Sequence, residues 1–163
     1  MSAPGWLPAD FSHPVRVDLT DAVHLRPIRA SDVDIDMVAV HGNQAMLWAV
    51  YGEAWRWPPA TMTREQDEAD LAHHAAEMET HESFNYAVLT DDESALLGCV
   101  YLSPVESPGY EGDAEVSWWL VADADPALRR RLDEFVPEWV RTAWPFTTVA
   151  HPFNDVPGPP AGG

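Results

Sequence analysis

Between Phe84 and Val121 the apolar residues come in short runs, each closed by an acidic or a Pro/Gly segment. Asn85–Leu89 and Leu96–Ser103 are bounded by Asp91-Asp92-Glu93-Ser94 on one side and by Pro104 and Pro108-Gly109 on the other, which predicts a β-hairpin. A third strand is predicted over Ala114–Val121. Its alternation puts Glu115, Ser117, Trp119 and Val121 on one face and Val116, Trp118 and Leu120 on the other. Each face carries a Trp, so both should be covered. After Asp125-Pro126, a good N-cap and first-turn pair, the period changes. Leu128, Leu132, Phe135, Val136, Trp139 and Val140 fall at helical spacing and predict one long helix, in which Pro137 should cause a kink or an early break. Trp144-Pro145 ends it, and Thr147–Ala150 reads as a last short strand.

The N-terminal half is less regular. Val15–Leu19 alternates weakly, and Val23–Arg29 reads as a strand kept to an edge or end by Pro27. A helix follows, with Ser31 as its predicted N-cap, Asp32, Asp34 and Asp36 in the first turns, and Ile35, Val38 and Met46 on its apolar side. Gly42-Asn43 should break or bend it. Trp48–Pro59 holds Trp48, Tyr51, Trp55 and Trp57 and ends in two prolines. That segment predicts a shaped loop or short turn, serving either as one wall of a ligand pocket or as the plug of a core. Thr63 with Gln66 forms a capping box for a second helix carrying Leu71, Ala72, Ala75 and Met78. Residues 1–14 read as a loose arm that Trp6, Leu7 and Phe11 can pin, residues 15–153 as one domain, and residues 154–163 as a disordered Pro/Gly tail.

At 163 residues and 46% apolar content, one domain with a single core is expected. No apolar run is long enough to span a membrane and Met1–Asp10 has no leader pattern, so a cytoplasmic protein is expected. Nine basic residues against 27 acidic ones leave a net charge of −18, which argues against nucleic acid and acidic membranes as partners. Such a field attracts cations, and it also keeps a protein soluble. All nine basic residues are Arg, so neither Schiff-base chemistry nor a Lys-bearing phosphate loop is available. Cys99, the one cysteine, reads as a packed apolar residue. His73, His74 and His81 match no zinc spacing, and no metal is expected.

The order strand, helix, helix, hairpin, strand, long helix, short strand resembles that of the GNAT acyltransferase superfamily. Four stretches carry the resemblance: His24-LRPIRASDVD, Phe84-NYAVL, Leu96-LGCVYLS with Gly98 before the apolar residues, and Ala114-EVSWWLVADAD followed by the Leu128–Val140 helix. The resemblance implies an α/β (α+β) GNAT-like single domain, with a mixed, mostly antiparallel sheet flanked by helices. It also implies acetyl-CoA as acyl donor and a small-molecule amine as acceptor. On it rests the choice of Glu115 as candidate base, with flanking Trp118 and Trp119 to raise its pKa, and of Tyr86 as a proton donor. Leu120 and Val121 would offer backbone groups to the pantetheine arm where the sheet splays. Trp55, Trp57, Tyr101 and Trp119 would line the pocket, with Glu106 assisting.

Two departures stand against the family pattern. Ala122–Leu132 replaces a glycine-containing pyrophosphate loop, has no glycine, and adds Asp123 and Asp125. Arg129, Arg130 and Arg131 can compensate, with Arg129 and Arg130 as the candidate donor contacts, although three consecutive helix positions cannot all face one phosphate. After Ala150 the helix and strand usual in the family are missing, along with the Tyr it often supplies. A ligand-binding or interaction module without coenzyme A, or a coenzyme A-independent tailoring enzyme, therefore stands beside acyl transfer. The shortened sheet leaves an edge that a second copy could cover, giving a homodimer.

Overall fold

The computed structural model describes residues 6–154. The predicted tail, apart from Asn154, and the first five residues of the predicted arm lie outside them. The strands β1 (Val17–Thr20), β2 (Val23–Pro27), β3 (Phe84–Thr90), β4 (Leu96–Ser103), β5 (Ala114–Leu120) and β6 (Val149–Ala150) form one sheet in sequence order. Each neighbouring pair is antiparallel except β5 and β6, which run parallel.

The β3–β4–β5 meander is the frame. Cys99 lies opposite Trp119, Tyr101 opposite Ser117 and Ser103 opposite Glu115. One face of the meander is therefore polar in its middle, with Asn85 joining from β3 opposite Tyr101. The other face carries Phe84, Tyr86, Val88, Val100, Leu102, Val116 and Trp118, all buried. Gly98 sets how closely β4 and β5 approach, because a Cβ there would lie 1.9 Å from the Trp119 carbonyl oxygen.

Helix α4 (Pro126–Ala143) covers the apolar face with Leu132, Val136, Trp139 and Val140. Asp125 caps it by accepting from the Ala127 N–H, and the helix runs through Pro137 to Ala143 without the predicted early break. The energetics explain this. Burying each large apolar side chain is worth about 1.5–3 kcal/mol, and several together exceed the ~3 kcal/mol that an interior proline costs.

Helices α1 (Val33–Gly42), α2 (Gln44–Trp55) and α3 (Arg64–Glu79) sit on the polar face. Thr63 and Gln66 make the predicted reciprocal cap of α3. Ser31 is not the cap of α1; it lies inside a short 3₁₀ turn, Ala30–Asp32, and α1 starts after it. The reason is Arg26, whose guanidinium takes both oxygens of Asp32 at 2.9 and 2.8 Å, while the Arg29 N–H donates to the same carboxylate. The segment predicted as an aromatic loop is largely helical, for α2 continues to Trp55 and stops at Arg56 in the left-handed region. Pro58 and Pro59 forbid helix only beyond that point, and burying Leu47 and Tyr51 completely favours the helix before it.

Residues 6–14 lie against the body. The Trp6 indole donates to the Asp113 carbonyl at 2.9 Å, and the Phe11 ring lies 5.2 Å from that of Trp144. These are the contacts expected of the two aromatic pins.

Candidate functional site

Strands β5 and β6 pair only at Ala114–Val149 and Glu115–Ala150, and beyond that the sheet splits. The Val121 N–H donates to Leu97 across β4, so by antiparallel alternation the N–H and C=O of Trp118 and Leu120 face the split. At Trp118 both groups are taken by one side chain. Asn154 accepts from the Trp118 N–H and donates to its carbonyl, each at 3.0 Å, as a neighbouring strand would. Phe153 packs beside it on Tyr51 and Trp55, with ring centroids 4.9 and 5.1 Å apart. Farther along, Asn43 accepts from the Ala122 N–H, and Arg129 turns back to donate to the Val121 carbonyl at 2.9 Å.

On the polar face of the sheet lies a cavity of about 350 Å³. Its aromatic walls are Trp55, Trp57 and Tyr101, and its acids are Asp36 from α1, Asp67, Asp70 and Glu77 from α3, and Glu82 and Glu106 from loops. No Arg lines it; His74 is its one basic group. Asp36 and Asp67 are 4% and 1% exposed, so burial matters first. Burial, then the hydrogen bond and charge of Asp67 and the charges of Asp70 and Asp32, push the Asp36 carboxyl well above the ordinary range. Burial also raises Asp67, which the hydrogen bond from Asp36 partly offsets. The two form a carboxylic acid and carboxylate pair sharing a proton.

Glu106 stands at the rim, raised by partial burial and then by the charges of Glu115 and Glu77. For His74, burial works downward, but the hydrogen bond and charge of Asp70, with Glu77 and Asp67, raise it on balance. Burial raises the Tyr51 and Tyr101 hydroxyls and the Cys99 thiol, leaving all three neutral. Tyr51 donates to Ser117 Oγ at 3.3 Å, and the Trp119 indole donates to the Tyr101 hydroxyl at 2.8 Å.

The residues singled out from the sequence fall into separate places. Trp55, Trp57 and Tyr101 meet in the cavity wall. Trp119 stands behind them, its ring 6.4 Å from Trp57. Glu115 is 5% exposed and holds the loop after β4: Oε1 accepts from the N–H groups of Glu106 and Ser107, and Oε2 from the Ser107 hydroxyl. Tyr86 lies on the opposite face of the sheet, donates to the Pro14 carbonyl at 2.7 Å and packs edge-on against Trp139. Leu120 belongs to the row facing the split, whereas the Val121 N–H is turned to β4. Arg129 reaches the loop, Arg130 is exposed at the start of α4, and Arg131 points away to the Leu19 carbonyl.

Sequence reasoning missed Asp36, Asp67 and Asn85. A signal for the first two exists, since Asp36 shares the buried stripe of Val33, Ala39 and Val40, and Asp67 that of Leu71 and Met78. An acid inside an apolar stripe marks a polar cavity beneath the helix. Among the described residues no group of His, Cys, Asp and Glu is arranged to hold a metal ion.

Residues 22–143 match the acetyltransferase (GNAT) domain family. No curated protein matches the chain by sequence. Among solved structures, the chain is similar to the ribosomal-protein-S5-alanine acetyltransferase from Vibrio fischeri at 16% identity, over 78% of this chain and 68% of that one, with a TM-score of 0.55. It is also similar to RimL, the ribosomal L7/L12 α-N-protein acetyltransferase, in complex with coenzyme A, at 14% identity, 79% and 70% coverage and a TM-score of 0.57. A third likeness is to the microcin C7 self-immunity acetyltransferase MccE in complex with acetyl-CoA and AMP, at 10% identity, 80% and 70% coverage and a TM-score of 0.55. At these identities the likeness is one of fold.

Proposed function

The chain belongs to the GNAT acetyltransferase family, and from that premise we propose that it moves an acyl group from a coenzyme A thioester to a small amine held in the acidic cavity. The observation that carries this reading is the cavity itself: six carboxyl groups and three aromatic rings with no Arg among them, on the sheet face shared by Tyr101 and Ser117. A protonated amine is the ligand such a lining favours, by charge and by cation–π contact.

The split edge fits the donor's arm. Asn154 presents to Trp118 a carboxamide, the same group the pantetheine arm carries, and it makes both hydrogen bonds of a strand partner. Leu120 extends that row, and Arg129 and Arg130 are the cations available beyond it. The thioester, when bound, supplies the activated acyl group. Glu106, with its raised pKa, takes the proton that the acceptor ammonium must lose before its nitrogen forms the new C–N bond; as the C–S bond breaks, the departing thiolate takes the nitrogen's second proton and leaves as the thiol. Glu115 acts through Glu106, holding the loop that carries it. Trp55 and Trp57 orient the amine, and Tyr101, neutral and half-buried, completes the wall.

A second reading has its own observation. Asn154 and Phe153 already occupy the split, and Ala122–Leu132 after β5 is glycine-free, which suits a ligand-binding module without coenzyme A. Calorimetric titration with acetyl-CoA, and with desulfo-CoA as control, separates the two. Acyl transfer requires micromolar binding, about −8 kcal/mol, tightened in Asn154→Ala because the edge no longer has to be vacated. No heat with either protein at millimolar ligand would exclude the acyl-transfer reading. With binding in hand, Glu106→Gln should lower kcat at least tenfold, and should flatten the acid limb of the pH–rate profile.

A further inference from the structure

The cavity has two acidic ends, and only one is used by the reaction proposed above. Glu106 feels Glu77 and Glu115, whereas Asp36 feels Asp67, Asp70 and Asp32, so the carboxyl groups fall into a rim set and a deep set. Along α3, Asp67 and Glu77 stand ten residues apart, or roughly 15 Å of helix axis. A monoamine reacting at Glu106 leaves the deep set with no cation but the nearby imidazoles of His74 and His41. None of Asp36, Asp67 or Asp70 is paired with an Arg; the partner of Asp70 is His74, at 3.5 Å.

Two buried acceptors that no N–H or hydroxyl reaches line this cavity. Asp67 Oδ2 is buried and receives no hydrogen bond from any N–H or hydroxyl among the described residues. Asn85 is 5% exposed, and its Oδ1 is likewise buried and without a partner. A buried oxygen left without a donor is costly, and here that of Asn85 shares one cavity with the Asp36–Asp67 carboxyl pair. An ammonium group carries three N–H donors and a positive charge on an apolar stem, which is what this end lacks. A guanidinium would also supply donors, but its flat fork suits a bidentate carboxylate better than acceptors on separate elements.

We propose that the cavity is built for an organic dication of the aliphatic diamine class, with one ammonium held deep by Asp67, Asp70 and the Asn85 carbonyl and the other presented at the Glu106 rim. This deepens the acceptor reading above and rests on the same cavity. Trp55, Trp57 and Tyr101 then enclose the methylene chain between the charged ends. Specificity follows from the deep end, because a monoamine of equal length leaves the Asn85 oxygen without a donor and the deep carboxyl groups without an ammonium.

The experiment is binding without coenzyme A, followed by tryptophan fluorescence and by calorimetry, with 1,4-diaminobutane and n-butylamine as probes. The diamine should bind at least tenfold tighter. Asp67→Asn should bring the two amines to equal affinity, and Asp70→Asn, at a half-exposed position, should narrow the ratio in a protein whose fold is not at risk. Glu68→Gln, which removes the same charge from α3 outside the cavity, should keep the full ratio. Equal affinities in the unaltered protein, or a ratio unmoved by both Asp variants, would overturn the proposal. Diamine binding without acetylation in the presence of acetyl-CoA would remove acyl transfer and leave this inference standing. Acetylation of both amines with equal KM would do the reverse.

Discussion

The same sheet face carries two groups of acids, each with a buried member, and they are treated in opposite ways. At the β2 end, Arg26 is clasped by Asp32 at 2.8 Å and by Glu93 at 3.0 Å, and His24 meets the same Glu93 at 2.6 Å. The acids of this group have cations. Arg26 and Glu93 stand 67 residues apart in sequence, so the network fastens the 3₁₀ turn before α1 to the β3–β4 turn. In the cavity, Asp36, Asp67 and Asp70 have one histidine among them. The hydrogen bonds of Arg26 and His24 hold Glu93 down at about 2, whereas burial drives Asp36 upward. The difference separates a group that is finished within the fold from one that is completed by a ligand.

The largest effect should come from breaking the finished group. Arg26→Met leaves Asp32 and Glu93 without their cation, and removing one partner of a buried pair costs about 3–5 kcal/mol. Urea denaturation measures it, and a loss under 1 kcal/mol would erase the distinction between the two groups.

The cavity should answer with the opposite sign. A carboxyl whose pKa is raised by folding destabilises the native state above its unfolded pKa, so Asp36→Asn should raise the melting temperature at neutral pH by a few degrees while weakening diamine binding. A drop in melting temperature would mean that Asp36 is as structural as Asp32.

Acid titration is a finer probe. Glu93 is depressed in the folded state, so its contribution is present above the unfolded value of about 4.3 and fades as pH falls toward about 2. The stability difference between the protein and its Glu93→Gln variant should therefore be constant from pH 7 to 5 and shrink below that. A difference that persists unchanged to pH 2 would show that the ion pair contributes nothing. The smallest effect belongs to the exposed Arg64–Asp34 pair at 2.9 Å, where Asp34→Asn should leave the melting temperature unchanged.

Asp36 and Glu115 show where sequence reading stops. Glu115 was reached through strand alternation and a resemblance, and its position on the polar face of β5 agrees with the alternation. What its oxygens hold, the N–H groups of Glu106 and Ser107, depends on how the loop after β4 folds back, and no periodicity encodes that. Asp36 reads in the sequence as one of several first-turn acids suited to a helix dipole. Its meaning changes only when α3 brings Asp67 against it from 31 residues away.

What the sequence determined by itself was local: the β3–β4–β5 strands and their two faces, α4 with its Asp125 cap, the Thr63 box, and the family order of elements. Hydrophobic period and capping chemistry act over a few residues, and that range is what a single chain displays. The tertiary structure decided the rest. Packing of Leu47 and Tyr51 made a helix of the aromatic segment, Arg26 drew Asp32 out of a helix start, and Asn154 came to rest on Trp118. Above all it decided which acids met a cation and which did not, because charge pairing acts through space and linear order does not record it.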